Sequence, residues 1–279
     1  MSKYPVPVIE SGYRCESGAE RERNEDSCLV LTTEFGGHFT MKPVGLYVVA
    51  DGMGGEREGH VASNAAARTF AEYVLSNFYF PLLRQRPHPR EVDIIDILER
   101  AVFRAHDAVV APDAASAPDA AAQSSALPMP GGNGGTTLTA GLIFGHRLYV
   151  AHVGDSRAYL LAGGELRPLT EDHSLVRRLQ DTGRLSAADA QHFQYRNVLL
   201  QALGQEGALT ADTFSLDLPD NGKLLLCSDG LCGLVSLEAM TEILYRGATA
   251  QTAADELYDA AMAAGGHDNI TAIVVDFGF

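Results

Sequence analysis

The chain has 279 residues, of which 46% are hydrophobic, and 36 acids against 21 bases leave a formal charge of −15. That charge repels a phosphate backbone and argues against nucleic acid as a partner; no apolar run approaches the roughly 20 residues of a membrane span. The N-terminus MSKYPVPVIESGYRCESG lacks a basic segment leading into an apolar one, and Cys15, Cys28, Cys227 and Cys232 form no CxxC pair, so a cytoplasmic protein with free thiols is expected.

Taken in chain order, Ser27–Thr33 and Gly45–Ala50 read as strands, being β-branched or apolar and bounded by polar and glycine residues. Ala66, Phe70, Tyr73, Val74 and Asn77 then share one helical face, and Ile95, Leu98, Val102, Ala105 and Val109 repeat at three and four as an amphipathic helix. Residues 111–135 read APDAASAPDAAAQSSALPMPGGNGG, without periodicity, as a flexible insertion at about 111–134; a domain boundary is the rival reading. Beyond it come strands at Leu138–Phe144, Leu148–Val153 and Ala158–Leu161, the first two joined by Gly145-His146-Arg147. A polar stretch leading into 198–203 has no assigned element. Thr213–Leu218 and Lys223–Cys227 read as strands joined by Asp220-Asn221-Gly222, which carries an Asn-Gly hairpin signal. Two helices, over 237–245 and 250–264, and a strand at Ile270–Phe277 complete the chain. The strands after the insertion are too few to form a core without those before it, so one domain over 1–279 with a largely antiparallel sheet is expected.

Five aspartates share a setting. Asp51, Asp155 and Asp229 each follow an apolar strand, and Asp26 and Asp268 each stand just before one. In antiparallel pairing the start of one strand lies beside the end of its neighbour, so these acids can meet along one edge. Carboxylates that close repel one another and stay ionised together only beside a cation. Without His or Cys partners they favour a hard ion, Mg²⁺ or Mn²⁺, over Zn²⁺. Gly52 and Gly230, lacking Cβ, leave room for a carbonyl or water at such an ion. Each Asp-Gly taken alone is equally a turn.

The ordered set Arg21-Glu22-Arg23-Asn24-Glu25-Asp26-Ser27, Val49-Ala50-Asp51-Gly52-Met53-Gly54-Gly55, Gly135-Thr136-Thr137-Leu138, His152-Val153-Gly154-Asp155-Ser156-Arg157-Ala158, Leu169-Thr170-Glu171-Asp172-His173-Ser174, Cys227-Ser228-Asp229-Gly230-Leu231 and His267-Asp268-Asn269-Ile270-Thr271 spans nearly the whole chain. It resembles the metal-dependent serine/threonine protein phosphatases of the protein phosphatase 2C type, in their bacterial branch. The resemblance implies an α+β fold, a four-layer α-β-β-α sandwich of two mainly antiparallel sheets flanked by helices. It implies hydrolysis of phosphoserine and phosphothreonine in proteins by a metal-activated water, with two Mn²⁺ or Mg²⁺ ions and a third site in some members. By position, Asp51 bridges the two ions and the Gly52 carbonyl binds one of them, with Glu25 acting through water. Asp229 and Asp268 hold the other, and Asp155 with Asp229 matches the third site. Asp26 orients the attacking water, Arg21 grips the phosphate and Asn269 supports Asp268.

Where some members carry a His after the Asp-Gly pair, a proposed general acid, this chain has Met53; His60 and His173 are weak substitutes, both readable as structural. The flap implied over 172–204 offers Arg177, Arg178, Arg184 and Arg196, either to steer phosphopeptides or as a solvated face with i, i+4 pairs. Phosphoprotein substrates, a serine/threonine kinase among them, and a monomer are expected. The same fold used as a catalytically weak scaffold, and a nuclease or small-molecule phosphatase, are the alternatives.

Overall fold

The computed structural model describes residues 8–34, 42–54, 59–84, 89–111, 134–190 and 193–279. The expected insertion falls almost wholly outside the described residues.

Twelve strands are described: β1 (Val8–Glu16), β2 (Ser27–Thr33), β3 (Val44–Ala50), β4 (Gly52–Met53), β5 (Gly135–Thr136), β6 (Leu138–Phe144), β7 (Arg147–Val153), β8 (Arg157–Ala162), β9 (Glu165–Pro168), β10 (Asp212–Asp217), β11 (Asn221–Cys227) and β12 (Ile270–Gly278). The helices are α1 (Gly59–Val74), α2 (Phe80–Leu83), α3 (Glu91–Val110), α4 (Leu175–Asp181), α5 (Ala187–Ala190), α6 (Asp229–Cys232), α7 (Leu237–Arg246) and α8 (Ala250–Ala263), with a π-helical turn at Leu75–Tyr79 between α1 and α2. One sheet runs β1-β12-β11-β8-β9 and the other β10-β7-β6-β3-β2, while β4 and β5 form a small ladder. Every one of these pairings is antiparallel.

The strand period of two sorts the side chains into layers. On β3, Val44, Leu46, Val48 and Ala50 face α1 and α3, with Phe70, Val74, Leu98 and Val102 opposite them. Tyr47 and Val49 of the same strand face inward, against Leu224, Leu226, Ile273 and Val275 of the other sheet. Leu225, Cys227, Ala272 and Val274 point outward again, beneath Leu244, Ala254 and Leu257 of α7 and α8. Three apolar seams therefore separate four layers, and the expected α-β-β-α sandwich is present. Helices α4, α7 and α8 begin at side-chain caps, Ser174 accepting from the Arg177 amide, Ser236 from the Ala239 amide and Thr249 from the Thr252 amide.

Two expectations fail. Asp220-Asn221-Gly222 is no hairpin: β10 pairs with β7 in one sheet, β11 with β8 and β12 in the other. The half-exposed β10 has its only partner in β7, while the apolar end of β11 is buried on both faces, so the turn carries the chain between sheets. On α1 the expected apolar face ends one position early. The π-helical turn takes an extra residue; it leaves Asn77 exposed, its amide donating to the Tyr73 carbonyl at 2.8 Å, and buries Phe78 against Phe144. The strands that sequence periodicity missed are β1, β9 and the two-residue β4 and β5. Among the described residues no helix is long and apolar enough to cross a membrane.

Candidate active site

Register brings the acids together. Ser27 pairs with Ala50, which sets Asp26 beside Asp51 at one end of β2 and β3. Arg157 pairs with Cys227, which sets Asp155 beside Asp229 at the matching end of β8 and β11. Cys227 also pairs with Ala272, which brings Asp268, just before β12, to the same place. The two sheets stack so that both sets lie on one rim. Burial, then Asp26, Asp229, Asp155 and Asp268, push the Asp51 carboxyl well above the ordinary carboxylate range, so Asp51 senses all four of the others.

Hydrogen bonds fix this rim from behind. The Asp51 amide donates to Thr137 Oγ1 at 3.0 Å, and its carbonyl accepts from the Thr137 amide and from Thr136 Oγ1, both at 2.9 Å. Thr137 in turn meets the Ser156 hydroxyl at 2.7 Å, tying the Asp51 loop to the Asp155 loop. Asn269 joins the two sheets: its Oδ1 accepts from the Glu25 amide at 2.9 Å and its Nδ2 donates to the Arg23 carbonyl at 2.9 Å. It is buried, and its own amide donates to Asp268 Oδ1 at 2.8 Å. Asn269 therefore orders Glu25 as well as Asp268. Ser63 of α1 holds the Glu25 carbonyl at 2.5 Å.

Asp26 is the most enclosed of the acids. Its Oδ2 accepts from Thr271 Oγ1 at 2.7 Å, while the buried Oδ1 has no partner among the described residues. Burial raises its pKa to about 7 against the pull of Thr271. Asp155 is likewise raised to about 7, by burial and then by Asp229 and Asp172. Asp229 is raised by burial and then by Asp268. Arg21 donates from Nη2 to Asp268 Oδ2 at 2.7 Å and also faces Glu25 and Asp51.

The two glycines also matter for packing. A Cβ on Gly52 would stand 2.2 Å from the Gly59 carbonyl oxygen and 2.5 Å from that of Glu25; one on Gly230 would stand 2.0 Å from that of Asn269. Their bare Cα atoms let neighbouring backbone, on which the acids are mounted, close in.

His60 lies by Arg23, with ring nitrogens 3.4 and 3.5 Å from its Nη1. His173 accepts from the Gly154 amide at 3.3 Å and contacts Asp212, packing on the His152 ring at 4.8 Å. Arg177 pairs with Glu171 at 3.1 Å and with Asp181, four residues on, at 3.0 Å, the pattern of a solvated helix face. The residues that sequence reasoning left without a role are Thr136, Thr137, Ser156, Thr271 and the bidentate pair of Arg157 and Asp172, at 2.7 Å from both guanidinium nitrogens. The signal for them lay in the Gly-Thr-Thr, Gly-Asp-Ser-Arg and Asp-Asn-Ile-Thr segments. Beside the rim an open groove of about 700 Å³ runs between Met53, Gly54 and Gly135 on one side and Asn197, Leu199 and Glu206 on the other.

The donor set fits hard divalent ions. Among the described residues no three of these side chains close around one point. Carboxylate and carbonyl oxygens are the donors that Mg²⁺ and Mn²⁺ take, ions that keep several waters and bind one or two carboxylates each. The unpartnered Asp26 Oδ1 and the mutual repulsion of the rim argue the same way.

A four-layer sandwich with carboxylates from both sheets on one rim defines a class of hydrolytic fold built around hard cations. The chain belongs to the protein phosphatase 2C family, whose model matches residues 20–264. It is 36% identical over 265 residues to the serine/threonine phosphatase stp of Listeria monocytogenes, an alignment covering 95% of this chain and 94% of that one. The structure of the S. agalactiae serine/threonine phosphatase superposes with a TM-score of 0.77 at 26% identity, covering 96% of this chain and 99% of that one. The catalytic domain of the phosphatase PstP, in complex with two manganese ions, superposes with a TM-score of 0.75 at 30% identity, over 98% of this chain and all of that one.

Proposed function

We propose that this protein hydrolyses phosphoserine and phosphothreonine in other proteins, using Mn²⁺ or Mg²⁺ held on the carboxylate rim. The observation that supports it most is the convergence of Asp26, Asp51, Asp155, Asp229 and Asp268 from both sheets, with Arg21 facing them. Asp51 would bridge two ions, with the Gly52 carbonyl and, through water, Glu25; Asp229 and Asp268 would hold the second, and Asp155 with Asp229 a third. Bound there, divalent ions supply charge that offsets the phosphoryl oxygens and makes a water acidic enough to attack at neutral pH.

The chain's own groups do the rest. Asp26 Oδ1, buried and unpartnered, can accept a hydrogen bond from the attacking water and orient it. Asn269 keeps Glu25 and Asp268 in register. The Arg21 guanidinium has five N–H donors and gives one to Asp268, so others can grip two phosphate oxygens. The groove past Met53 can seat the residues flanking the phosphorylated side chain. Met53, a thioether, has no proton to give the departing Ser or Thr oxygen.

We also read the whole chain as one phosphatase domain, a cytoplasmic monomer whose substrates include a serine/threonine kinase. The free thiols and the absence of an apolar spanning helix among the described residues support the compartment. The test is phosphate release from a phosphothreonine peptide. Release with Mn²⁺ that stops on chelation is the expected result; chelator-resistant turnover contradicts the reading, and Mn²⁺ binding without turnover favours the scaffold alternative.

A further inference from the structure

Behind the rim, at the open edge of the sandwich, two cysteines face each other. β1 and β2 are edge strands of different sheets. Their inward residues alternate: Ile9 from β1, and Cys28 and Val30 from β2, join the seam between the sheets. Ser11 and Thr32 touch across this gap, oxygen to oxygen, at 2.9 Å. Four residues along each strand, in opposite directions, the same face presents Cys15 and Cys28, and the Cys15 sulfur lies 3.9 Å from the carbonyl oxygen of Asp26, two residues before Cys28. Contact between side chains as short as Ser and Thr brings the strands well inside the ~10 Å spacing of stacked sheets, toward the ~5.5–6 Å Cα separation of a disulfide.

The surroundings of Cys15 are polar and directed. Asn24 Nδ2 donates to its sulfur at 3.4 Å, and the Thr271 hydroxyl lies 3.3 Å away. Both partners also serve Asp26: Asn24 Oδ1 accepts from the Asp26 amide at 3.1 Å, and Thr271 donates to Asp26 Oδ2. Both residues are half-buried. A reactive cysteine needs thiolate character, access and a resolving partner.

We propose that Cys15 and Cys28 form an oxidation site for hydrogen peroxide, with Cys15 the attacking thiol, Cys28 the resolving one, and the state of the catalytic centre as the readout through Asn24, Thr271 and Asp26. The Cys15 thiolate attacks one peroxide oxygen; the S–O bond forms as the O–O bond breaks, and the departing hydroxide takes a proton to become water. The Cys28 sulfur then attacks the sulfenic sulfur. The S–S bond forms, the S–O bond breaks, and the hydroxide leaves as water with the Cys28 proton. Two thiols and one peroxide give one disulfide and two waters. The neighbouring Cys28 thiol, with the polar groups of Thr271 and Asn24, outweighs burial and lowers the Cys15 thiol to about 6, in keeping with its role as the attacker. A disulfide draws the Cys15 sulfur away from Asn24 and Thr271 and so disturbs the turn on which Asp26 sits.

The test uses the full chain loaded with Mn²⁺. Trypsin cuts after Arg14, Arg21 and Arg23, which separates the two cysteines into different peptides. After peroxide treatment and blocking of remaining thiols, mass spectrometry is expected to find these two peptides linked. Dithiothreitol releases them, and phosphatase turnover falls several-fold on linkage and recovers on release. In Cys28→Ser, Cys15 is expected to stop at the sulfenic acid and be captured by dimedone. The proposal is overturned if Cys15 and Cys28 both remain alkylatable, if Cys15 links elsewhere, if turnover is unmoved by the linkage, or if Cys28→Ser gives no dimedone adduct.

Discussion

Asp26 and Asp155 are carboxyls that the fold holds near pKa 7, against roughly 3.9 for an unfolded aspartate. The native state then binds more protons than the unfolded one, so their contribution to stability is complete below about pH 4 and is lost as pH rises through about 7. Buried His152 acts in the other direction. Burial, then His173, lowers it to about 4, so stability falls as pH drops from about 6.5 through 4. Between pH 6.5 and 8 the carboxylates lower stability as pH rises, while the Cys15 thiol, lowered to about 6, acts in the opposite direction. Chelator-treated Cys15→Ser protein, which isolates the carboxylates, is therefore expected to resist urea less at pH 8 than at pH 6.5, with Mn²⁺ removing most of the difference; equal midpoints without metal would contradict this. Relieving repulsion by Asp51→Asn should raise the melting temperature of the chelated protein while lowering turnover by at least ~100-fold, since the group destabilises the fold that carries it. The aspartates were legible because each ends or begins a strand. The groups that orient them were not: Thr271 reaches Asp26, and Asn269 reaches Glu25, across two sheets whose stacking no local pattern encodes.

Local rules failed where an element answers to two neighbours. An Asn-Gly pair marks a tight turn, but β11 already has β8 and β12 beside it, so the turn at 220–222 joins sheets instead. The short helix α6 opens at Asp229 and packs its Gly230 against the backbone leading into β12. Gly230→Ala must push the Asn269 carbonyl away. A loss of ~1–3 kcal/mol in denaturant unfolding, typical of overpacking, is expected, with a fall of tenfold or more in turnover as Asn269 slips from Glu25. At the start of β8, Arg157 clasps Asp172 through two hydrogen bonds and so fixes the segment that leads into α4. Lys cannot reproduce that fork. Arg157→Lys should lower stability by ~1–3 kcal/mol and speed hydrogen exchange over 169–174; unchanged exchange there would show that the pair does not hold the segment.

At the scale of the molecule, the sandwich exists to bring two rims together. Neither sheet supplies the site alone: Asp26 and Asp51 come from one, Asp229 and Asp268 from the other. The seam between them, with Val49, Leu224, Leu226 and Ile273 fully buried, sets their separation. Leu226→Ala should cost about 2–5 kcal/mol and weaken metal binding by loosening that spacing. The apolar patterns made most of the strands and the outer helices legible; that the strands divide into two sheets, stacked with their acidic ends aligned, followed only from the ordered set of motifs. The most direct test of the metal centre is a calorimetric titration of Mn²⁺ into chelator-treated wild type and Asp229→Ala. Two or more ions per wild-type chain, with at least one lost in Asp229→Ala, is the expected result. Equal binding by both proteins, or none by the wild type, would contradict a metal site shared between the sheets.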